Sequence, residues 1–525
     1  MKSGIEVRLG QLLRAGQQHL LRSGLKGLEK ESLRMAPTGT IAQTPHPRAL
    51  GAALTHPWIT TDYSEALIEL ITPPFVDPAA TLGFLEDLHT FVYRHLGDEF
   101  LLATSMPVGL SGDESIPIAR YGTSNVGRMK HVYRRGLAYR YGRTMQAIAG
   151  VHFNYSADVA LWLVLRELAG SSAPLHAFIA DGYFGAIRNV HRYGWLLIYL
   201  FGHSPAVCRS FFTGREEAAA AFSELDADTL YRPYATSLRM SDIGYRNSSQ
   251  AELEISFDSL DRYVASLGAA IDKPHPAYEK IGVKVNGDYR QLNANVLQIE
   301  NEYYSAIRPK QIARSGEKPT LALKRRGVRY LELRLLDLGC FYPTGVSLDE
   351  LRFLETFLVF CLLADSPPLS PVEKAETGHN SFAVACCGRT PAFHLSQGGR
   401  EVPLRDWATQ LLEAMGAVAE VLDGQDPARP YSRSVALQRP AIADPEATPS
   451  ARVLAEMRRS GQSFAAYALE LSRRQAAVWR ERPLDDAVAE RFRQDAERSL
   501  AEQRRIEASD RLSFDEFLRR YFAQR

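Results

Sequence analysis

The 525-residue chain has no apolar run long enough to cross a bilayer, no excess of either charge and almost no cysteine, and each absence closes off a class of function. Its longest apolar runs, Trp195 to Phe201 and Phe357 to Ala364, fall far short of the roughly 20 residues a membrane helix needs. Lysine and arginine number 62 against 61 aspartates and glutamates, a net charge of +1, so no electrostatic footprint for nucleic acid or a membrane surface is expected. The five cysteines, Cys208, Cys340, Cys361, Cys386 and Cys387, form no Cys-x-x-Cys and no Cys/His cluster with zinc spacing, and read as free thiols. Met1 to Arg8 turns polar at once and lacks the apolar core of a signal peptide, which predicts a cytoplasmic protein. There is also no Gly-x-x-x-x-Gly-Lys-Ser/Thr loop and no Gly-x-Gly-x-x-Gly, so neither a P-loop nor a dinucleotide fold is supported.

What the chain does have is carboxylates on short strands. Gly27 to Arg34 reads as a strand, in which Glu29 and Glu31 share a face about 7 Å apart while Leu28 and Lys30 take the other. Taken alone, that pair reads as a solvated outer strand. Trp58 to Pro74 is a second acidic strand, with Glu65 and Glu69 on one face, Ala66, Ile68 and Leu70 on the other, and Asp62 nearby. Gln146 to Ser156 alternates too, placing Gln146, Ile148, His152, Asn154 and Ser156 on one side and Val151, Phe153 and Tyr155 on the other. In Val328 to Asp337, Tyr330, Glu332 and Arg334 share a face opposite Leu331, Leu333 and Leu335.

Helices are expected over Arg8 to Leu25, Phe84 to His95 and much of Ala157 to Phe222. A basic and aromatic helix follows Tyr121 to Lys130 through Tyr133, Arg134, Arg135, Tyr139, Arg140 and Tyr141. In a neutral chain this pattern favours an anionic small molecule over nucleic acid. Ala235 to Tyr245 reads as a loop carrying Arg239, a residue suited to binding a carboxylate. Pro367, Pro368 and Pro371 mark a break. It separates a sheet-bearing part, 1–365, from a helix-rich supporting part, 366–525, packed on the same core.

Oxygen-rich ligation with a single imidazole suits Mg²⁺ or Mn²⁺, ions that also bind substrate phosphates. The residues alone therefore lead to a metal-dependent, phosphate-handling enzyme.

From about residue 20 to 365 runs a series of motifs: Gly27-Leu28-Glu29-Lys30-Glu31-Ser32-Leu33-Arg34, Thr60 to Glu69, Tyr121 to Arg128, Gly150 to Asn154, Ser237 to Arg239 with Asp242 to Tyr245, and Gln298 to Glu302 with Ile307 to Lys310. In this order they resemble the bacterial glutamate-cysteine ligase family. The resemblance implies an α+β, glutamine-synthetase-like fold, a curved and mainly antiparallel sheet flanked by helices. It implies that Glu29, Glu31, Asp62, Glu69, His152 and Glu332 hold Mg²⁺. Gln146, Ile148, Asn154 and Arg239 would line a glutamate site, and Tyr63, Tyr133, Arg134, Tyr245 and Tyr304 would surround cysteine. Arg334 would reach the transferred phosphate, which makes Arg334 and Arg134 the expected catalytic cations. The implied substrates are ATP, L-glutamate and L-cysteine, joined through a γ-glutamyl phosphate by a monomer or weak oligomer in the first step of glutathione synthesis. Two departures stand out: Leu338-Gly339-Cys340 replaces the Asn-Pro that tends to follow Asp337, and Tyr63 stands where phenylalanine is common. A ligase with another amine acceptor, or a non-catalytic amino-acid or metal-binding relative, are the alternatives.

Overall fold

The computed structural model describes residues 2–244 and 253–524. Its centre is β1 (Leu25–Met35), the longest strand of a seven-stranded sheet completed by β2 (Ile59–Thr61), β3 (Leu67–Ile71), β4 (Phe100–Leu101), β5 (Val151–Ser156), β6 (Ile307–Lys310) and β7 (Tyr330–Leu336). The order is β6-β7-β5-β1-β3-β2, with β4 beside the far end of β1. All of these pairs are antiparallel. β1 is thus interior, and the solvated outer strand that Glu29 and Glu31 suggest in isolation is not what forms.

Alternation along the strands splits the sheet into an apolar and a polar face. Leu28, Ile68, Leu70, Val151, Phe153, Tyr155, Leu331 and Leu333 are all buried. Lys26 and Lys30 share that buried side of β1. Lys30 Nζ lies 2.8 Å from His89 Nε2, and burial pushes its ammonium down to about 7.

The helices used below are α1 (Lys2–Arg14), α2 (Pro78–Tyr93), α3 (Asn125–Tyr141), α4 (Leu175–Tyr193), α5 (Trp195–Phe201), α6 (Leu348–Leu363), α7 (Leu404–Asp423), α8 (Phe464–Glu481), α9 (Asp486–Ser509) and α10 (Phe514–Ala523). Helices α2 and α6 back the sheet. Helix α6 starts at a capping box in which Ser347 and Glu350 satisfy each other's backbone amides. On the polar side, α3 begins where Ser124 Oγ accepts from Gly127 N, and it stops at Gly142, whose φ of 79° a β-carbon would disfavour.

One hydrophobic core runs from Ile5 to Phe492, so α7, α8 and α9 share it with the sheet. Helix α10 sits apart, in a small cluster with Met129, Val132 and Leu292.

Several boundaries differ from the sequence reading. The opening helix ends at Arg14 and is followed by a short 3-10 turn at Gln18–Arg22, because β1 already pairs from Leu25. The second acidic strand is two strands joined by a turn, which puts Asp62 just past β2 and Glu65 ahead of β3. The Glu65 carboxylate is spent on the backbone amides of His46 and Arg120 and stays off the polar face. Gln146 lies on a 3-10 turn, Thr144–Ala147, because pairing of β5 starts only at Val151. Past Phe201 the expected helix gives way to a small three-stranded sheet around Thr229–Tyr231. Beyond the prolines a hairpin, His394–Gln397 with Arg400–Pro403, interrupts the helices.

Sheet and helical layer are joined by a fully buried ion pair, Lys26 Nζ to Glu355 Oε1 at 2.6 Å, with Tyr431 Oη donating to Glu355 Oε2 at 2.7 Å. Lys26→Met alone strands the Glu355 charge and should lower stability by about 3 to 5 kcal/mol. The double variant Lys26→Met/Glu355→Leu should recover most of that loss, read from urea unfolding midpoints; equal destabilisation of both proteins would contradict it.

Candidate active site

Strand register assembles the polar face. Glu31 stands opposite Glu69 across β1 and β3, and Glu29 opposite His152 across β1 and β5. Asn154 pairs on one side with Gly27 and on the other with Glu332, while Arg308 of β6 faces Glu332. A register shift in β7 between Leu333 and Leu336 inserts an extra residue beside Arg334. Arg334 Nη1 lies 3.1 Å from Glu332 Oε1.

The acidic groups converge on His152. Its Nδ1 lies 3.1 Å from Glu29 Oε2 and 3.8 Å from Glu332 Oε1, and its Nε2 is 3.6 Å from Glu31 Oε1. Arg334 Nη1 also comes within 3.4 Å of Nδ1, but the carboxylate at 3.1 Å can only accept, so the ring proton belongs on Nδ1. Nε2 then presents a lone pair, and it has no hydrogen-bond partner among the described residues. Burial and Arg334 hold His152 below its ordinary value, which keeps the imidazole neutral, the state in which it binds metals.

The carboxylates divide by environment. Burial and the nearby Asp62 carboxylate push Glu31 up to about 8. Burial with Glu29, Asp62 and Glu31 holds Glu69 well above the usual range. Glu332 is equally buried, yet Lys310, Arg334 and His152 outweigh that burial and hold it well below. Lys310 Nζ is 3.3 Å from Glu332 Oε2. Ligand atoms of Glu29, His152 and Glu332 all fall within 4.8 Å of one another. This donor set, with its unclaimed imidazole lone pair and proton-holding carboxylates, fits a hard divalent cation.

Around this floor lies a cavity of about 440 Å³. Of the residues singled out in the sequence, Glu29, Glu31, Asp62, Glu69, His152, Glu332 and Arg334 line it, together with Tyr63, Tyr133, Arg134, Gln146 and Tyr304. Arg134 donates through Nε to the Asp62 carbonyl and stacks on Tyr121, 4.7 Å from its ring centre. The buried Tyr63 hydroxyl has no partner among the described residues. Three others stand behind the lining. Asn154 donates to Glu29 Oε1 at 2.9 Å, which orients that carboxylate. Ile148 is fully buried. Arg239 is also buried, its Nη1 donating to the Arg334 carbonyl at 3.0 Å. Its guanidinium packs where a β-carbon on Gly150 would come within 2.3 Å of it, and its charge lowers Glu31. Tyr245 lies outside the described residues.

Lys310, Arg308, Glu302, Phe517 and Tyr521 also line the cavity and carry no role in the sequence reading. Lys310 and Arg308 could have been found, since Ile307 to Lys310 alternates like its neighbours. Glu302 accepts from Arg140 at 2.9 Å and from Tyr141 Oη at 2.7 Å, links that only the folded chain makes. Phe517 and Tyr521 come from α10 at the other end of the chain.

The raised carboxyls carry a pH signature. Glu31 binds its proton up to about 8 in the folded protein and releases it near 4.5 when unfolded, so the native state holds more protons between these values and loses stability as pH rises. The melting temperature of metal-free protein should therefore fall from pH 5.5 to 8 on account of Glu31, a fall that Glu31→Gln should reduce. Mg²⁺ binding at pH 7 should release protons, read by calorimetry in buffers of different ionisation enthalpy. Proton uptake, or none, would contradict this picture.

Comparisons with known proteins give the chain's family. The glutamate-cysteine ligase family model matches residues 9–384, which takes in the stretch that carries the motif resemblance. The glutamate–cysteine ligase of Alcanivorax borkumensis is 48% identical over 99% of both chains. That of Pseudomonas paraeruginosa is 50% identical over 100% of this chain and 98% of its own. Among solved structures, the glutamate–cysteine ligase of Francisella tularensis in complex with AMP is 38% identical, with a TM-score of 0.89 and coverage of 95% of this chain and 97% of that one. A bifunctional glutathione synthetase from Pasteurella multocida is 26% identical, with a TM-score of 0.71 over 91% of this chain and 55% of that chain. The antiparallel sheet with its acidic open face is the glutamine-synthetase-like fold, and the chain is an enzyme of the glutamate-cysteine ligase family.

Proposed function

We propose that the protein transfers the ATP γ-phosphoryl group to the γ-carboxylate of L-glutamate and then joins the resulting acyl phosphate to the amine of L-cysteine, the first step of glutathione synthesis. The observation that carries this reading is the convergence of Glu29, Glu31, Glu69, His152 and Glu332 beside Arg334 and Lys310 in one cavity, in a chain of this family.

A carboxylate resists attack by an amine because its leaving group would be oxide. Phosphorylation replaces that oxide with phosphate, so the amine forms the new C–N bond as the C–O bond to phosphate breaks. Glu29, Glu31, Asp62, Glu69, His152 and Glu332 would hold Mg²⁺ or Mn²⁺. Bound there, the ions would screen the phosphate charge and bring the γ-phosphoryl to the acceptor. Arg334, whose Nη1 lies 3.1 Å from Glu332 Oε1, would neutralise charge on the transferred group. No covalent protein nucleophile is needed.

Gln146 would contact glutamate, with Ile148, Asn154 and Arg239 supporting that site from behind. Tyr63, Tyr133, Arg134, Tyr245 and Tyr304 would surround the cysteine, Arg134 also countering charge on the intermediate. The Tyr63 hydroxyl, without a partner among the described residues, would make that pocket more polar than a phenylalanine would. Residues 1–365 would form the catalytic part and 366–525 its helical support. No helix among the described residues is long and apolar enough to cross a membrane, and we place the enzyme in the cytoplasm as a monomer or weak oligomer, without nucleic-acid or membrane partners.

Purified protein given ATP, glutamate and a panel of amines should release phosphate in step with cysteine; release that is indifferent to cysteine, or greater with another amine, would reassign the acceptor. Glu29→Gln should abolish turnover and leave the circular dichroism spectrum unchanged. An active Glu29→Gln enzyme would remove Glu29 from the ligand set.

A further inference from the structure

Residues 113–120 form a loop that ties together the two turns from which Tyr63 and Gln146 enter the cavity. None of the described residues lining that cavity comes from this loop, and the activity proposed above gives it no part.

One end of the loop clamps the turn of Gln146. Asp113 is exposed, yet its Oδ2 accepts from Arg143 N at 2.9 Å, and its Oδ1 accepts from Thr144 N at 3.1 Å and from Thr144 Oγ1 at 2.7 Å. The 3-10 turn Thr144–Ala147 has no side-chain cap from its own N-cap residue, and its leading amides need acceptors. A carboxylate from some 30 residues earlier supplies them. Partial burial would raise the Asp113 carboxyl, but the amides of Arg143 and Thr144 with the Thr144 hydroxyl hold it below its ordinary value. Arg143 returns the contact, its Nη1 donating to the Ile116 carbonyl at 3.3 Å and its Nη2 lying 2.9 Å from Glu114 Oε1.

The other end grips the turn of Tyr63, between β2 and β3. The Pro117 carbonyl accepts from Ser64 Oγ at 2.7 Å and from Glu65 N at 2.9 Å, and Ala119 N donates to the Tyr63 carbonyl at 3.0 Å. The Glu65 carboxylate completes the grip, its Oε2 accepting from Arg120 N at 2.8 Å. Each turn is thus fixed to one short loop by a carboxylate that takes backbone amides. The loop thereby sets where Tyr63 and Gln146 stand in the cavity wall.

We infer that Asp113 and Glu65 are positioning residues for the two amino-acid subsites, Asp113 acting on glutamate through Gln146 and Glu65 acting on cysteine through Tyr63. The choice of substrate for each turn rests on the ligase reading, whereas the clamping rests on the hydrogen bonds alone. A substrate contact displaced by about 1 Å loses most of its effect, so groups outside the cavity can govern affinity within it.

The test is steady-state kinetics on full-length wild-type and variant protein, with KM read separately for glutamate, cysteine and ATP. Asp113→Ala should raise the glutamate KM roughly tenfold, while kcat and the other two KM values stay within about twofold. Asp113→Asn keeps an acceptor for Thr144 and should recover most of that loss. Glu65→Ala should act in the same way on the cysteine KM, with recovery in Glu65→Gln. In a Gln146→Ala background, Asp113→Ala should change the glutamate KM by less than about twofold, because the side chain it positions is gone. If Asp113→Ala folds poorly, Thr144→Val removes one of the three bonds and should raise the glutamate KM about threefold. Equal rises in all three KM values, or full additivity of Asp113→Ala and Gln146→Ala, would reduce the loop to a packing element and overturn the inference. Calorimetric titration with glutamate separates the inference from the ligase reading. Weaker glutamate binding in Asp113→Ala, beside a wild-type protein with no cysteine-dependent phosphate release, would contradict that reading and leave the clamp standing.

Discussion

The organising constraint is repulsion among carboxylates on one face of a central strand. Two unit charges about 7 Å apart repel by roughly 2 kcal/mol even at an effective dielectric of 20, and Glu31, Glu29 and Glu69 compound that cost within one sheet. A solvated strand could dissipate it, but β1 is interior and Glu31 is buried. Without added charge the fold relieves the strain by keeping protons on Glu31 and Glu69. It also brings Lys310 and Arg334 to Glu332, whose carboxyl they hold well below the usual range against its burial. The result is a face short of positive charge at neutral pH, held rigid by backbone pairing. Such a face binds a divalent ion and the phosphates that travel with it.

The rest of the architecture serves that face. Leu28, Phe153 and Leu333 fix the sheet from behind, so the carboxylates cannot swing apart to relax. Asn154 donates to Glu29 and the Gly150 amide donates to Glu31 Oε2 at 2.9 Å, which sets the two carboxylates that β1 contributes. Asp337, the residue before Leu338-Gly339-Cys340, accepts from His203 N, Ser204 Oγ and Ser237 Oγ. Leu338 and Cys340, which follow it, are buried.

Much of the site was legible because its chemistry follows a period of two. Glu29 with Glu31, His152 with Asn154, and Glu332 with Arg334 could each be assigned to a face from alternation alone, and register then brought those faces together. Glu65 misled because it shares spacing with Glu69 but precedes the strand, where a turn redirects it to the amides of His46 and Arg120. Gln146 reaches the cavity from a 3-10 turn and not from the strand that alternation assigned to it. Lys310 pairs with Glu332 only through strand order, which no local pattern encodes. The C-terminal helix was the hardest to place. Its amphipathic pattern marks it as a packed helix, but contact with residues near Met129 and Gly316 is set by tertiary ties that span most of the chain.

The central claim is that this carboxylate face is a metal site. The most direct measurement is a crystal structure of the protein soaked with Mn²⁺ and an ATP analogue, with data collected at the manganese absorption edge. The account predicts anomalous peaks about 2.1 to 2.2 Å from donor atoms drawn from Glu29, Glu31, Glu69, His152 and Glu332, with the imidazole bound through Nε2. Ordered nucleotide with no anomalous density on this face, or with manganese held elsewhere, would contradict it.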